Sequence, residues 1–187
     1  MINHKQALAL FGSPHKNGFT ALVYNYFLER LTKYDIKKIN AFESNFRPCV
    51  DCKICKKSNS CAFDDMNQFD PVFRSSSLLI IASPLYNFSF PAPLKAIIDR
   101  FQRYYCEKYY LKNELQKKTA VLILTCGREN NDKWIEIFKN QITVFLKSID
   151  INLAHTICLK STDNLKSGVD NLPQNVKMDI NNIVKII

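Results

Sequence analysis

The chain has 187 residues, which suits one domain over 1–187 and is too short for an eight-stranded (β/α) barrel of about 250 residues. Hydrophobic residues make up 47% and aromatics 12%, enough for a sizeable core, and this excludes global disorder. Lysine and arginine number 26 against 17 acidic residues, a net charge of +9 that favours anionic ligands such as phosphates; the basic residues are scattered, so a solvated basic surface is expected rather than a nucleic-acid interface.

Lys5 to Phe11 reads as a short buried strand ending at Gly12, followed by a helix over Thr20 to Leu31 with Leu22, Val23, Tyr26 and Phe27 at helical spacing. Asp35 to Ala41 alternates and predicts a strand near a sheet edge, and residues 44–64 form a polar, cysteine-rich insertion without a period. Asp65 is placed to cap a short helix running to about Arg74. Ser77 to Ser83 (SLLIIAS) is continuous and apolar, the pattern of a strand buried on both faces. A helix follows from Ala92 to about Tyr105, with Pro93 in its first turn, then a second buried strand from Thr119 to Thr125. Asp132 to Ser148 is an amphipathic helix carrying Trp134, Ile135, Phe138, Ile142, Phe145 and Leu146; Ile151 to Leu159 is a last strand that includes His155 as a core residue, and a terminal helix runs from about Asn171 to Ile187.

Strands alternating with helices predict an α/β fold with a parallel sheet covered on both faces. Five strands with right-handed crossovers suit the flavodoxin-like three-layer sandwich of strand order 2-1-3-4-5. The first residues, Met1 to Phe11, lack the long apolar stretch of a leader, and the apolar run Leu78 to Ala82 is far shorter than the roughly 20 residues of a membrane helix. These features predict a cytoplasmic protein with no membrane contact. Seven cysteines, an odd number, point to thiolate chemistry or metal binding rather than disulfides.

In such a sheet ligands bind outside the carboxyl ends of the strands, near the switch point between the first and third. Three loops leave that edge. The first, Gly12 to Thr20, joins a strand to a helix N-terminus, where backbone N–H groups and the helix dipole favour a phosphate; Ser13, Asn17 and Thr20 add polar groups. It has neither Walker A spacing nor a G-x-G-x-x-G, and it suits a terminal monophosphate such as that of FMN; the bland alternative is an ordinary turn with Thr20 as cap. The second loop brings Tyr86, Asn87 and Phe88 to the edge, where a flavin ring needs flat apolar walls and a few polar groups. In the third, Thr125-Cys126-Gly127-Arg128, the glycine permits close backbone approach and Arg128 is placed to stabilise negative charge on a reduced flavin; packing or surface roles are the alternatives for both loops.

Gly12-Ser13-Pro14-His15-Lys16-Asn17-Gly18-Phe19-Thr20 resembles the phosphate loop of the NADPH-dependent FMN reductase family, with His15 in place of an arginine and Phe19 in place of a small polar residue. Ser83-Pro84-Leu85-Tyr86-Asn87-Phe88, with the following Pro91 to Arg100 segment, resembles that family's second flavin loop and helix. The resemblance covers residues 5–130 and implies FMN as cofactor and NAD(P)H as co-substrate, with FMN held by Ser13, His15, Lys16, Asn17, Gly18, Thr20, Pro84, Leu85, Tyr86, Asn87, Phe88, Thr125, Cys126, Gly127 and Arg128. Hydride transfer to a flavin requires no protein acid or base, and no catalytic side chain is assigned. Pro84 to Phe88 is also similar to the P-x-Y-N-F loop of FMN azoreductases and quinone reductases, and a non-catalytic flavin- or metal-binding carrier or sensor is a further alternative.

Cys49, Cys52, Cys55 and Cys61 have the spacing C-x2-C-x2-C-x5-C, closer to an iron–sulfur cluster motif than to paired zinc ligands, with zinc and free thiols as alternatives. The segment is similar to the loop of the iron–sulfur flavoprotein branch of the same family, whose four cysteines can hold a [4Fe–4S] cluster; Asn59 stands where that loop carries glycine, and its tolerance of the left-handed region suits the turn. The loop leaves the same sheet edge as the flavin loops. Cys106, Cys126 and Cys158 are expected to be small core residues, with Cys126 the one inside a flavin loop. Phe101, Tyr104, Tyr105, Tyr109 and Tyr110 crowd one helix and predict a homodimer or homotetramer contact, and the partner in the reaction is a small-molecule or protein electron acceptor.

Overall fold

A computed structural model describes residues 4–128, 132–166 and 168–187. The first three residues of the segment read for a leader, and the last two of the stretch carrying the family resemblance, lie outside them. Five strands, β1 (Lys5–Phe11), β2 (Tyr34–Asn40), β3 (Leu78–Pro84), β4 (Lys118–Thr125) and β5 (Ile151–Leu159), pair in parallel in the order β2-β1-β3-β4-β5. The flavodoxin-like fold expected from the sequence is therefore the one observed, and its switch point lies between β1 and β3.

The sheet alternation fills two cores. Ala7, Ala9 and Phe11 point to one face, where α1 (Phe19–Leu28) and α6 (Gln174–Ile186) bring Ala21, Val23, Phe27, Ile180 and Ile183. Leu8 and Leu10 point to the other face. There α2 (Phe69–Ser75), α3 (Ala92–Arg100), α4 (Gln102–Tyr109) and α5 (Asp132–Ser148) pack Phe69, Phe73, Leu94, Ile97, Tyr104 and Phe138 against it. The carboxyl ends are level: Phe11 pairs with Asn40 and with Ala82, and Thr125 with Pro84 and with Leu159. Gly12 sits where β1 leaves the sheet, and its backbone N–H bonds the Ala82 carbonyl at 2.8 Å. A Cβ there would lie 2.4 Å from the Leu94 Cδ2, so only glycine lets this strand end against α3.

Some local expectations are corrected. The helix expected over Ala92 to Tyr105 is two helices, because Phe101 turns tightly, with its N–H on the Ile98 carbonyl at 3.0 Å and its own carbonyl accepting from Tyr104 at 2.9 Å. That turn buries Phe101 completely. Asp65 caps no helix; it lies in a 3-10 turn and its carboxylate is taken by arginines. Of the aromatic residues expected at a subunit contact, Phe101 and Tyr104 are fully buried within the chain, whereas Tyr109 and Tyr110 are exposed. His155 lies half-buried on the edge strand β5, beside a register shift in its pairing with β4, rather than in the core. Among the described residues no helix is long and apolar enough to cross a membrane.

Candidate flavin site and cysteine hollow

The first loop ends in α1, whose N-terminus receives no side-chain cap. Gly18 at the N-cap is extended (φ −81°, ψ 179°), a conformation open to any residue, so its value is space: a Cβ would stand 3.1 Å from the His15 Cβ. Ser13 is buried, and its hydroxyl accepts from the His15 N–H at 3.2 Å, closing the turn. His15, Lys16 and Asn17 are exposed, and Lys16 pairs with Glu43 beyond β2. Thr20 turns inward, its hydroxyl 2.6 Å from that of Thr125, which ties the first loop's helix to the end of β4. The first and third loops are thus joined at their bases by two predicted site residues.

The second loop is a hairpin turn. Leu85 donates its N–H to the Thr125 carbonyl at 2.9 Å, and Tyr86 and Ser89 exchange both backbone hydrogen bonds at 3.0 Å. Between them Asn87 (φ 50°) and Phe88 (φ 59°) are both left-handed, the arrangement of a type I′ turn. For a bulky residue such as Phe88 this conformation carries strain, and strain of this kind gathers at functional sites. It holds the Phe88 ring half-exposed, 5.2 Å from the Trp134 ring. Trp134 belongs to α5, where its spacing alone marks it as part of the apolar stripe; its exposure of 51% and its place beside Phe88 make it an unexpected wall of this edge.

In the third loop Arg128 is exposed, whereas Cys126 is buried against Cys158 and its backbone N–H bonds Leu159. The approach that Gly127 permits is taken by Asp163, whose Oδ1 would meet a Cβ at 2.5 Å.

The cysteine segment leaves the carboxyl edge after β2 and packs against Arg100 at the end of α3 and against α4. Its anchor is Asp65, which accepts from Arg100 Nη2 at 2.6 Å and from the Arg47 backbone N–H at 2.8 Å, while Arg100 Nη1 donates to the Arg47 carbonyl at 2.8 Å. Burial works to raise the Asp65 carboxyl, but these hydrogen bonds outweigh it and hold the group below the usual carboxylate range. Asn59 is fixed by its side chain rather than by a left-handed turn: it donates to Glu107 at 3.1 Å and accepts from Arg74 and Arg103. The left-handed residues of this loop are Asp51 (φ 50°) and Lys53 (φ 67°), on either side of Cys52.

This winding brings Cys49, Cys52, Cys55 and Cys61 to one hollow against α4, whose lining also includes Arg100 and Cys106. Among the described residues, no three of its possible ligands converge on one point as the ligands of a single ion would. Burial, and then the Cys106 thiol at 3.5 Å, push the metal-free Cys55 thiol up to about 12. The hollow is not at the flavin edge: Arg100 stands eight residues beyond Ala92, about 12 Å along α3. Cys106 lies further on still, on the helix whose Lys108 pairs with Asp150 at the start of β5.

A family model for NADPH-dependent FMN reductases matches residues 6–155. The chain belongs to that family. Its curated relatives are iron–sulfur flavoproteins: that of Methanosarcina thermophila is 30% identical over 113 residues, covering 59% of this chain and 59% of the relative. That of Clostridioides difficile strain 630 is 30% identical over 139 residues, covering 70% and 58%. The chain spans about half the length of the curated relatives it matches. Among solved structures, the fold is similar to an FMN-dependent NADH-azoreductase from Bacillus anthracis in complex with FMN (TM-score 0.68, 14% identity, covering 97% of this chain and 98% of the other). It is also similar to an NAD(P)H:quinone oxidoreductase from Methanothermobacter marburgensis (TM-score 0.67, 16% identity, covering 97% and 94%). Within the family, similarity to the iron–sulfur flavoproteins agrees with the cysteine spacing.

The Asp65 anchor is testable. Asp65→Asn leaves the Arg100 charge buried without its partner and should destabilise the protein by about 3–5 kcal/mol at neutral pH in denaturant unfolding. Because the folded-state carboxyl lies below its unfolded value, this stability is present above about pH 4 and is lost as pH falls through the folded value, so the difference between the two proteins should shrink on acidification. A difference that stays constant from neutral to strongly acid pH would contradict the assignment.

Proposed function

We propose that the chain is an FMN-dependent NAD(P)H oxidoreductase of the cytoplasm whose cysteine segment holds a [4Fe–4S] cluster. The observation that carries the flavin part is the N-terminus of α1, left without a side-chain cap at the switch between β1 and β3. Its first-turn N–H groups, with the turn closed by Ser13, form a cradle for a phosphate dianion. Lys16 and His15 stand exposed at the mouth of that cradle, and Thr20, bonded to Thr125, keeps the helix start fixed against β4. Tyr86, Phe88 and Trp134 present aromatic surface at the same edge, which suits one side of a flat ring system. FMN held there would supply hydride acceptance and onward electron delivery, and the part of these residues would be to bind and position it. The exposed Phe88 and Trp134 rings also suit a flat acceptor, which favours a quinone or azo compound over other small acceptors.

The donor set of the hollow fits an iron–sulfur cluster. Four loop thiols line it, and Arg100, 3% exposed, supplies a buried positive charge beside Cys61. Its Nε has no hydrogen-bond partner in the protein, and anionic sulfur in the hollow would provide one. Such a cluster supplies one-electron transfer, and Cys49, Cys52, Cys55 and Cys61 would hold it.

Charge-assisted hydrogen bonds to the phosphate should make FMN bind at least about tenfold more tightly than riboflavin, since each contributes about 1.5–3 kcal/mol. Calorimetric titration of the flavin-free protein checks this, and equal affinities would overturn the phosphate cradle. Protein purified without oxygen should carry about four irons per chain. Full FMN with no iron would remove the cluster and leave the flavin reading standing.

A further inference from the structure

The hollow contains one thiol more than a four-cysteine cluster needs. Cys106 comes from α4, outside the cysteine segment, and is fully buried. Its Sγ lies 3.5 Å from that of Cys55, and the Gln102 side-chain amide donates to it at 3.7 Å. A cysteine that merely fills the core meets apolar neighbours; this one meets a sulfur and an amide. The orphan Nε of the buried Arg100, in the lining of the same hollow, is an independent sign that the space is built for an anionic sulfur-rich group.

We propose that Cys106 is a working fifth thiol of the cluster site: in the protein alone its sulfur accepts from the Cys55 thiol, and once Cys55 is an iron-bound thiolate the Cys106 S–H donates back to it and can take over the iron that Cys55 binds. This rests on the cluster reading of the hollow. A cysteine bound to iron is a thiolate and has no proton of its own, so a contact with a neighbouring thiol needs the proton to come from Cys106. The Gln102 N–H, directed at the Cys106 sulfur, leaves the Cys106 proton free to point at Cys55. Hydrogen bonds to ligand sulfurs stabilise the more electron-rich, reduced cluster and raise its potential. If Cys55 is removed, the Cys106 thiol releases its proton to solvent as its sulfur binds the iron. Because Cys106 stands on a helix and faces Cys55, the replacement should be specific to that one ligand.

The test uses full-length protein purified without oxygen, measuring iron and FMN per chain and the cluster's midpoint potential by electron paramagnetic resonance. Cys55→Ala should retain most of its iron, whereas Cys49→Ala and Cys61→Ala should lose it, and Cys55→Ala combined with Cys106→Ala should also lose it. Cys106→Ala alone should keep its iron but show a lower midpoint potential, and Cys106→Ser, whose hydroxyl still donates, should restore the potential towards that of the unaltered protein. Retained FMN shows that each variant is folded. Loss of iron from folded Cys55→Ala, or an unchanged potential in Cys106→Ala, would overturn the proposal while leaving the cluster in place. Absence of iron from the unaltered protein would overturn the cluster reading and this proposal with it.

Discussion

Arg100 is the residue on which the position of the cysteines depends. Its side chain is 2% exposed, and it donates to Asp65 and to the Arg47 carbonyl. Burial works against its charge, but the Asp65 carboxylate and the Cys61 sulfur more than offset this. The segment between residues 41 and 63 has one 3-10 turn and no strand, so few backbone hydrogen bonds fix its path. The ion pair supplies the missing constraint at the end nearest the thiols. Asn59, held by Glu107, Arg74 and Arg103, supplies it on the other side. A polar loop is thereby shaped from outside, by charged groups on α2, α3 and α4, rather than by its own secondary structure.

The same helix separates the second loop from the cysteine hollow. α3 begins close to the second loop, where the Tyr86–Ser89 turn lifts Phe88 towards Trp134, and ends at Arg100 beside the cysteine hollow. The loop leaves the carboxyl edge as its place after β2 requires, yet its thiols are delivered to α4 instead. On the proposed reading, the flavin edge exchanges hydride with small molecules, while the hollow on the flank handles single electrons. Membership of the NADPH-dependent FMN reductase family agrees with the first role, and similarity to iron–sulfur flavoproteins with the second.

The parallel sheet was legible because continuous apolar strands such as Leu78–Pro84 alternate with helices of clear period, and that pattern admits few topologies. The switch-point loops were legible for the same reason. Three features were not. The break at Phe101 leaves no glycine or proline in the sequence; it comes from burying a large ring at a tight turn. Trp134 shares the helical spacing of α5's buried stripe, and only the packed Phe88 shows that it faces outward. Cys106 lies 45 residues after Cys61 and belongs to no spacing motif. Its approach to Cys55 follows from tertiary contacts, those of Asp65 with Arg100 and of Asn59 with Glu107, Arg74 and Arg103, that hold the loop against the helix. Spacing reveals ligands that lie close in the chain, whereas side chains that converge through tertiary contacts leave no such signal.

An anaerobic reductive titration tests the central claim most directly, by counting how many electrons each chain accepts while the absorption spectrum is followed. One FMN takes two electrons and one [4Fe–4S] cluster takes one, so the account predicts roughly three per chain, with flavin bleaching and cluster reduction in the same sample. Uptake of two electrons, with all of the spectral change belonging to flavin, would contradict it.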